Sequence, residues 1–149
     1  MNPPPPKPDP ALLEKIFPPR RVPRDQIGGC NPELGDYVRD FGDRTWLEVG
    51  DEAYCTHSDV YCLMDFETLI HFIAGFLRYY LSQNNYDDAW SLIYFAASDR
   101  FCDFCRMLPP EQRHFVIAYV DHSICNEFHS DENRERYQEN RRNLLGASP

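Results

Sequence analysis

Residues 66–81 read FETLIHFIAGFLRYYL, and this stretch decides the fold class more clearly than any other part of the chain. Its apolar side chains recur at intervals of three and four residues, a period that places them on one side of a helix. Asp65 stands directly before the stretch, where an aspartate can cap the first helical turn. The pattern therefore predicts an amphipathic helix over residues 66–82.

Further segments predict helices on either side of this one. Residues 33–41 follow a proline suited to a first helical turn, and residues 87–98 are apolar on nearly every side. After a loop expected around residues 101–108, Pro110 opens another apolar helix, and residues 130–145 predict a solvated helix with charge on most sides. No period-two alternation or Asn-Gly turn indicates strands, so the expected fold class is an all-α helical bundle.

The chain begins MNPPPPKPDP, and prolines at this density cannot enter a helix interior. We therefore expect a disordered proline-rich tail over residues 1–10. The remainder, residues 11–149, is expected to form a single helical domain, because 149 residues with 42% hydrophobic and 14% aromatic side chains supply one core. One hypothesis for the tail is that it binds an aromatic groove of a partner.

The same first residues lack the charged start and apolar stretch of a secretory signal. No segment reaches the roughly 20 consecutive apolar residues that cross a bilayer. These observations predict a cytoplasmic protein that does not bind membranes, with its 6 cysteines present as free thiols.

Charge is distributed unevenly along the chain. The net charge is -9, which disfavours nucleic acid as a partner and favours a basic protein. Residues 33–67 hold ten acidic side chains against two arginines, and the rest of the chain is close to balance. The negative field is therefore expected to lie mainly on this one segment.

Aromatic side chains of the types enriched at binding hot spots are interleaved with these acids. The segment is thus expected to form an acidic docking face in which carboxylates steer association and Trp46 and Tyr54 anchor the partner. The alternative is an ordinary solvated surface whose aromatic residues hold the segment on the core. The expected partner-binding residues are Asp36, Asp40, Asp43, Trp46, Glu48, Asp51, Glu52, Tyr54 and Asp59.

Cysteine and histidine spacing supports an alternative function, a zinc-binding domain. Cys102 and Cys105 are separated by two residues, a gap used by zinc ligands and redox dithiols, and His122 and Cys125 lie three apart on a predicted helix. No glycine or proline shapes a knuckle between the first two cysteines, which favours buried thiols. The leading interpretation therefore includes no metal and no other cofactor.

No familiar catalytic motif occurs in the chain. The sequence contains no glycine-rich phosphate loop, no Gly-x-Ser-x-Gly and no His-Glu-x-x-His. Cys55, His57, Asp59 and Cys62 cluster in a predicted loop, but closeness in sequence does not establish catalytic geometry. The protein is therefore not expected to be an enzyme.

Four segments together resemble a family of small, uncharacterised bacterial all-helical proteins. The segments are GGCNPE at 28–33, DRTWLEV at 43–49, the stretch at 66–81 and LPPEQR at 108–113. The resemblance implies an all-helical fold and no catalytic residue. Small acidic proteins of this kind are similar in general character to immunity proteins that neutralise toxins in bacterial competition. The resulting hypothesis is an immunity protein that covers the active site of a basic toxin.

Overall fold

The computed structural model describes residues 5–83, 89–126 and 130–146, and over these residues the architecture is all-α, as the sequence predicts. Two isolated β-bridges join loops, one between Val22 and Arg44 and one between Gly29 and Met64. No helix in the described part of the chain is long and apolar enough to cross a membrane. The chain divides into two compact units, residues 9–84 and residues 85–149 with 1–8. The expectation of one domain over residues 11–149 stays a prediction.

The unit formed by residues 9–84 contains five α-helices and two short 3-10 helices in its described part. Asp9 caps the first 3-10 helix, Pro10–Leu12, through the backbone N–H of Ala11. The tail boundary expected between residues 10 and 11 therefore falls inside a helix. The second 3-10 helix is Arg24–Gln26. The α-helices are α1 (Leu13–Ile16), α2 (Leu34–Phe41), α3 (Asp51–Thr56), α4 (Val60–Leu63) and α5 (Phe66–Ser82).

Helix α5 forms the centre of this unit's core, which confirms the prediction for residues 66–82. Eleven of its residues are buried, including Gly75 near the middle of the helix. A Cβ at Gly75 would overlap the phenol ring of Tyr54, so glycine is what lets α3 approach α5 this closely. Asp65 occupies the N-cap position, but its side chain makes no capping hydrogen bond.

Helix α2 ends where the sequence predicts. Gly42 follows its last residue, and Asp43 has a φ of 59°, in the left-handed region that aspartate tolerates better than most residues. The Asp43 carboxylate accepts hydrogen bonds from the backbone N–H and the Nε of Arg24. This turn carries the chain from α2 towards the segment that contains Trp46.

The other unit contains α6 (Trp90–Ala96), α7 (Phe101–Arg106), α8 (Pro110–Asn126) and α9 (Asp131–Leu145). The predicted start of α6 at residues 87–88 lies outside the described residues. Helix α7 corrects the loop expected around residues 101–108. Four of its six residues are buried, so packing rather than a long periodic pattern defines this helix.

Helix α9 is highly polar yet docks on its unit through specific side chains. Tyr137 is fully buried, and its hydroxyl lies 2.7 Å from the Asp121 carboxylate and 3.2 Å from the Ile117 carbonyl oxygen. The Nε of Arg141 donates to the same Asp121 carboxylate. One buried aromatic and a few directed hydrogen bonds therefore hold a helix whose other described residues face water to a large extent.

Candidate functional site

The acidic residues predicted to bind a partner lie on α2, on α3 and on the segments beside them. Five of the seven are exposed, and Asp40 and Asp59 are half-buried. A surface groove of about 570 Å³ opens among them, lined by three of the predicted acids, Asp40, Glu48 and Glu52, and by Arg39 and Arg44. Gly50, Ala53 and Thr56 complete its lining. The fold thus brings part of the predicted docking face together around one groove.

Arginines neutralise a large part of this acidic face. Arg21 lies 3.0 Å from Glu48, and Arg24 lies 3.0 Å from Asp43. Both arginines come from the segment before α2. They therefore lie outside residues 33–67, where ten acidic residues stand against two arginines. Arg39 adds pairs with Asp36 at 3.1 Å and Asp40 at 3.0 Å. The face is therefore less negative than residues 33–67 alone indicate.

Arg44 supports the groove from the end of α2. Its Nη1 donates to the carbonyl oxygens of Arg39, at 3.1 Å, and Asp40, at 2.7 Å. The last carbonyls of a helix lack partners within the helix, and a cation beside them also interacts favourably with the helix dipole. Arg44 therefore closes the C-terminal end of α2 while its side chain lines the groove.

Asp40 connects the groove to the buried interior of the unit. Its carboxylate lies 2.6 Å from Nε2 of His57, a side chain only 5% exposed. Hydrogen bonding from Arg39, followed by that from His57, holds the pKa of Asp40 below its ordinary value against the opposing effect of burial. His57 also contacts the rings of Tyr37 and Phe41. His57 therefore packs in the core of the unit and holds the Asp40 carboxylate at the edge of the groove.

The loop predicted for Cys55, His57, Asp59 and Cys62 is wrong in part, because Cys55 lies in α3 and Cys62 lies in α4. The four side chains do not assemble as a catalytic group. His57 is directed to Asp40, and Asp59 accepts a hydrogen bond from the hydroxyl of Tyr37 at 2.6 Å. Burial, followed by the hydrogen bond to Asp59, raises the pKa of Tyr37. The phenol therefore remains a neutral donor. Cys55 and Cys62 are exposed thiols.

Trp46 and Tyr54 lie in the core, which contradicts their predicted role as partner anchors. Their exposed fractions are 3% and 1%. The indole Nε1 of Trp46 donates to the carbonyl of Phe17 at 2.9 Å, and the Tyr54 hydroxyl donates to the carbonyl of Trp46 at 2.6 Å. The Arg78 guanidinium stacks over the Trp46 ring at 5.2 Å. These aromatic residues hold the acidic segment on α5, as the alternative interpretation expects.

The predicted zinc ligands do not converge. Cys105 is fully buried, Cys102 lies 3.6 Å from the side-chain and main-chain oxygens of Asn140, and Cys125 is exposed. Nδ1 of His122 lies 3.0 Å from the carbonyl oxygen of Pro5. Within residues 5–83, 89–126 and 130–146, no three His, Cys, Asp or Glu side chains are grouped as metal ligands. Burial raises the pKa of both Cys102 and Cys105, so both thiols stay protonated.

Comparisons with known proteins add nothing to the interpretation of this site. No protein-family model matches the chain, and no curated protein or solved structure is significantly similar to it. The resemblance to a bacterial family therefore stays a hypothesis.

Proposed function

We propose that the protein is a protein-binding module, most concretely a bacterial immunity protein that covers the active site of a basic toxin. In this proposal the docking face is formed by the exposed carboxylates around the groove between α2 and α3. The observation that carries it is the groove itself, which is lined by Asp40, Glu48 and Glu52. The two buried aromatic residues have no part in the contact.

Asp51 and Glu52 are the side chains that we expect to steer the partner. Both are exposed in the first turn of α3, and no ion pair to either occurs among the described residues. A basic partner can therefore approach them without displacing an internal cation. Complementary charge of this kind raises the association rate more than it raises the affinity of the final complex.

The arginine pairs on the same face do not prevent docking. Side chains in the pair of Arg21 with Glu48 are 62% and 41% exposed, and the pair of Arg24 with Asp43 is similarly open. Exposed ion pairs contribute little to stability, because water and salt screen them. A lysine or arginine of a partner can replace either arginine at small cost.

The test is charge reversal with a matched control on another helix. The variant Asp51→Lys/Glu52→Lys changes two exposed acids in the first turn of α3. The control Asp131→Lys/Glu135→Lys changes two exposed acids of α9 that likewise have no ion pair among the described residues. At low salt, we expect immobilised wild type and the α9 variant to retain a basic protein from the native host, and the α3 variant to lose it.

The retained protein then provides the functional measurement. Its toxic activity should be blocked by wild type, and its association rate with the α3 variant should fall at least about tenfold, with a weaker dependence on salt. Equal association rates for the two variants would contradict the docking face. Retention of a basic protein without inhibition would contradict the immunity function alone.

A further inference from the structure

Two thiols of α7 lie under α9 in the same compact unit. Cys102 and Cys105 are 8% and 0% exposed. The Sγ of Cys102 lies 3.6 Å from the side-chain oxygen and 3.6 Å from the main-chain oxygen of Asn140. Burial, followed by Asp121 and to the smallest extent by Cys105, raises the pKa of Tyr137, so the second thiol lies near this phenol. Because Asn140 and Tyr137 belong to α9, this helix covers both thiols.

The spacing of the two cysteines suits a disulfide within α7. Residues three positions apart in an α-helix have Cα atoms about 5 Å apart, within the range of roughly 4.4–6.8 Å that disulfides span. Their Cβ atoms are about 5–6 Å apart, whereas a disulfide needs about 3.5–4.5 Å. Formation of the bond therefore tightens the turn between Cys102 and Cys105 and draws the Cys102 sulfur away from Asn140.

Helix α9 is suited to open separately from the rest of its unit. Tyr137 is its one buried residue among those described, and its first turn is capped by the side chain of Ser130. The ion pair of Arg136 with Glu132 also lies within the helix. Local opening costs least where few apolar side chains are buried. We therefore expect α9 to leave α7 without global unfolding, and the thiols to meet water when it does.

The position of α9 controls the reactivity of the thiols. The thiolate is the nucleophile in disulfide exchange, and burial raises the pKa of both Cys102 and Cys105. Both groups are therefore unreactive while α9 covers them. Opening of α9 returns water to the thiols and brings each pKa towards its ordinary value.

We propose that Cys102 and Cys105 form a redox-sensitive dithiol, and that its oxidation to a disulfide holds α9 in the open position. The class of oxidant is a low-molecular-weight disulfide. The bond forms only while α9 is open, and the tightened α7 no longer offers the Cys102 sulfur to Asn140. The oxidised chain therefore loses a contact that the closed position requires.

The oxidation proceeds by two exchange steps that balance. Cys102 is the more exposed thiol, and its thiolate, formed by loss of the proton to water, attacks one sulfur of the oxidant. This step breaks the oxidant's S–S bond, releases one thiolate and leaves a mixed disulfide on Cys102. The Cys105 thiolate then attacks the Cys102 sulfur and releases the second thiolate. Two protein thiols become one disulfide, and the oxidant is reduced to two thiols.

The first measurement is the rate at which iodoacetamide labels the two thiols in the full-length chain. Trypsin releases residues 101–106 as one peptide, FCDFCR, which contains this pair and none of the exposed cysteines, so mass spectrometry follows the pair alone. Arg141→Ala removes the hydrogen bonds to Asp121 that help to hold α9. We expect it to speed labelling at least about fivefold. Arg142→Ala, at the exposed neighbouring position, should leave the rate unchanged.

The second measurement is oxidation of the same chain by glutathione disulfide. We expect peptide 101–106 to be recovered with an internal disulfide, and faster from Arg141→Ala than from Arg142→Ala. Cys105→Ser should stop at the mixed disulfide on Cys102. Oxidation should also speed hydrogen exchange in α9 at least about tenfold, and dithiothreitol should reverse this change. Cys102→Ser/Cys105→Ser, treated in the same way, controls for modification of the exposed cysteines.

Three results would overturn the proposal. Equal labelling rates in Arg141→Ala and Arg142→Ala would show that α9 does not control access to the thiols. Glutathione on the exposed cysteines alone, with peptide 101–106 still reduced in Arg141→Ala, would show that the pair is not a redox site. An internal disulfide that leaves hydrogen exchange in α9 unchanged would show that oxidation does not hold this helix open.

Discussion

Helices α5 and α9 have similar lengths, 17 and 15 residues, but they are held in place by different means. Helix α5 buries eleven residues, nearly all apolar, whereas the described residues of α9 include one that is buried, Tyr137. Burial of apolar area is non-directional and depends on fit, while a hydrogen bond depends on the position of two atoms. The two helices should therefore respond to opposite kinds of substitution.

This contrast predicts that α5 is sensitive to added volume and α9 to the loss of single polar atoms. Protein interiors are as dense as organic crystals, so one extra methyl group in α5 has nowhere to go. The contacts of α9 are made by Tyr137, Asn140 and Arg141, each of which bonds a polar group on another helix or turn of its unit. Removal of one such group leaves a desolvated partner without compensation.

The largest effect is expected for Gly75→Ala. The new Cβ would overlap the phenol ring of Tyr54, whose hydroxyl is already fixed on the Trp46 carbonyl. Overpacking of this kind costs typically 1–3 kcal/mol, and a position enclosed by an aromatic ring should lie near the upper end, at about 3 kcal/mol. Urea denaturation with the midpoint and slope both fitted measures this loss of unfolding free energy.

Gly35 provides the matched control for this substitution. It lies in α2, and a Cβ built there meets nothing within 4 Å. Because alanine favours helix over glycine, Gly35→Ala should leave stability unchanged or raise it by up to about 1 kcal/mol. Equal losses from the two alanines would show that the contact between Tyr54 and Gly75 does not limit the packing of α5.

A smaller loss is expected for Tyr137→Phe in α9. The substitution keeps the ring but removes the hydroxyl, and with it the bonds to Asp121 at 2.7 Å and Ile117 at 3.2 Å. Hydrogen bonds to a charged group contribute roughly 1.5–3 kcal/mol, so we expect a loss of about 2 kcal/mol by thermal or urea unfolding. Gln138→Ala, at the neighbouring exposed position, should stay within about 0.5 kcal/mol of wild type. If Tyr137→Phe had no greater effect than this control, the Tyr137 hydroxyl would contribute nothing to the docking of α9.

The same contrast explains which parts of the fold the sequence can predict. Helix α5 was predictable because its period runs unbroken for more than four turns. Helix α7 has six residues, too few for a period to emerge, and its burial depends on neighbours that are distant in sequence. The burial of Trp46 could likewise not be predicted from the sequence. A tryptophan among acidic residues is consistent both with a core residue and with a binding hot spot.

The candidate site was predictable only in part for a related reason. Counting charges along the chain finds the acids of residues 33–67, but it cannot show which cations approach them. Arg24 meets Asp43 across 19 positions, and Arg21 meets Glu48 across 27. His57 and Asp40 are 17 positions apart and carry no motif that marks them as a pair. Such pairings are fixed by tertiary structure, not by local pattern.

The smallest effect on stability is expected at the N-caps of α5 and α9, where the two helices also differ. The Ser130 side chain accepts a hydrogen bond from the backbone N–H of Asn133, while Asp65 makes no side-chain capping bond on α5. Ser130→Ala should therefore lower stability by about 1 kcal/mol, and Asp65→Ala by less than half of that.

Hydrogen exchange provides the sharper measurement, because Ser130→Ala should speed exchange in the first turn of α9 and leave α5 unchanged. Ser130→Asp, which restores an accepting oxygen, should recover the protection. Faster exchange in both helices would mean that α9 does not open by itself, and its polar docking would then be part of one cooperative unit.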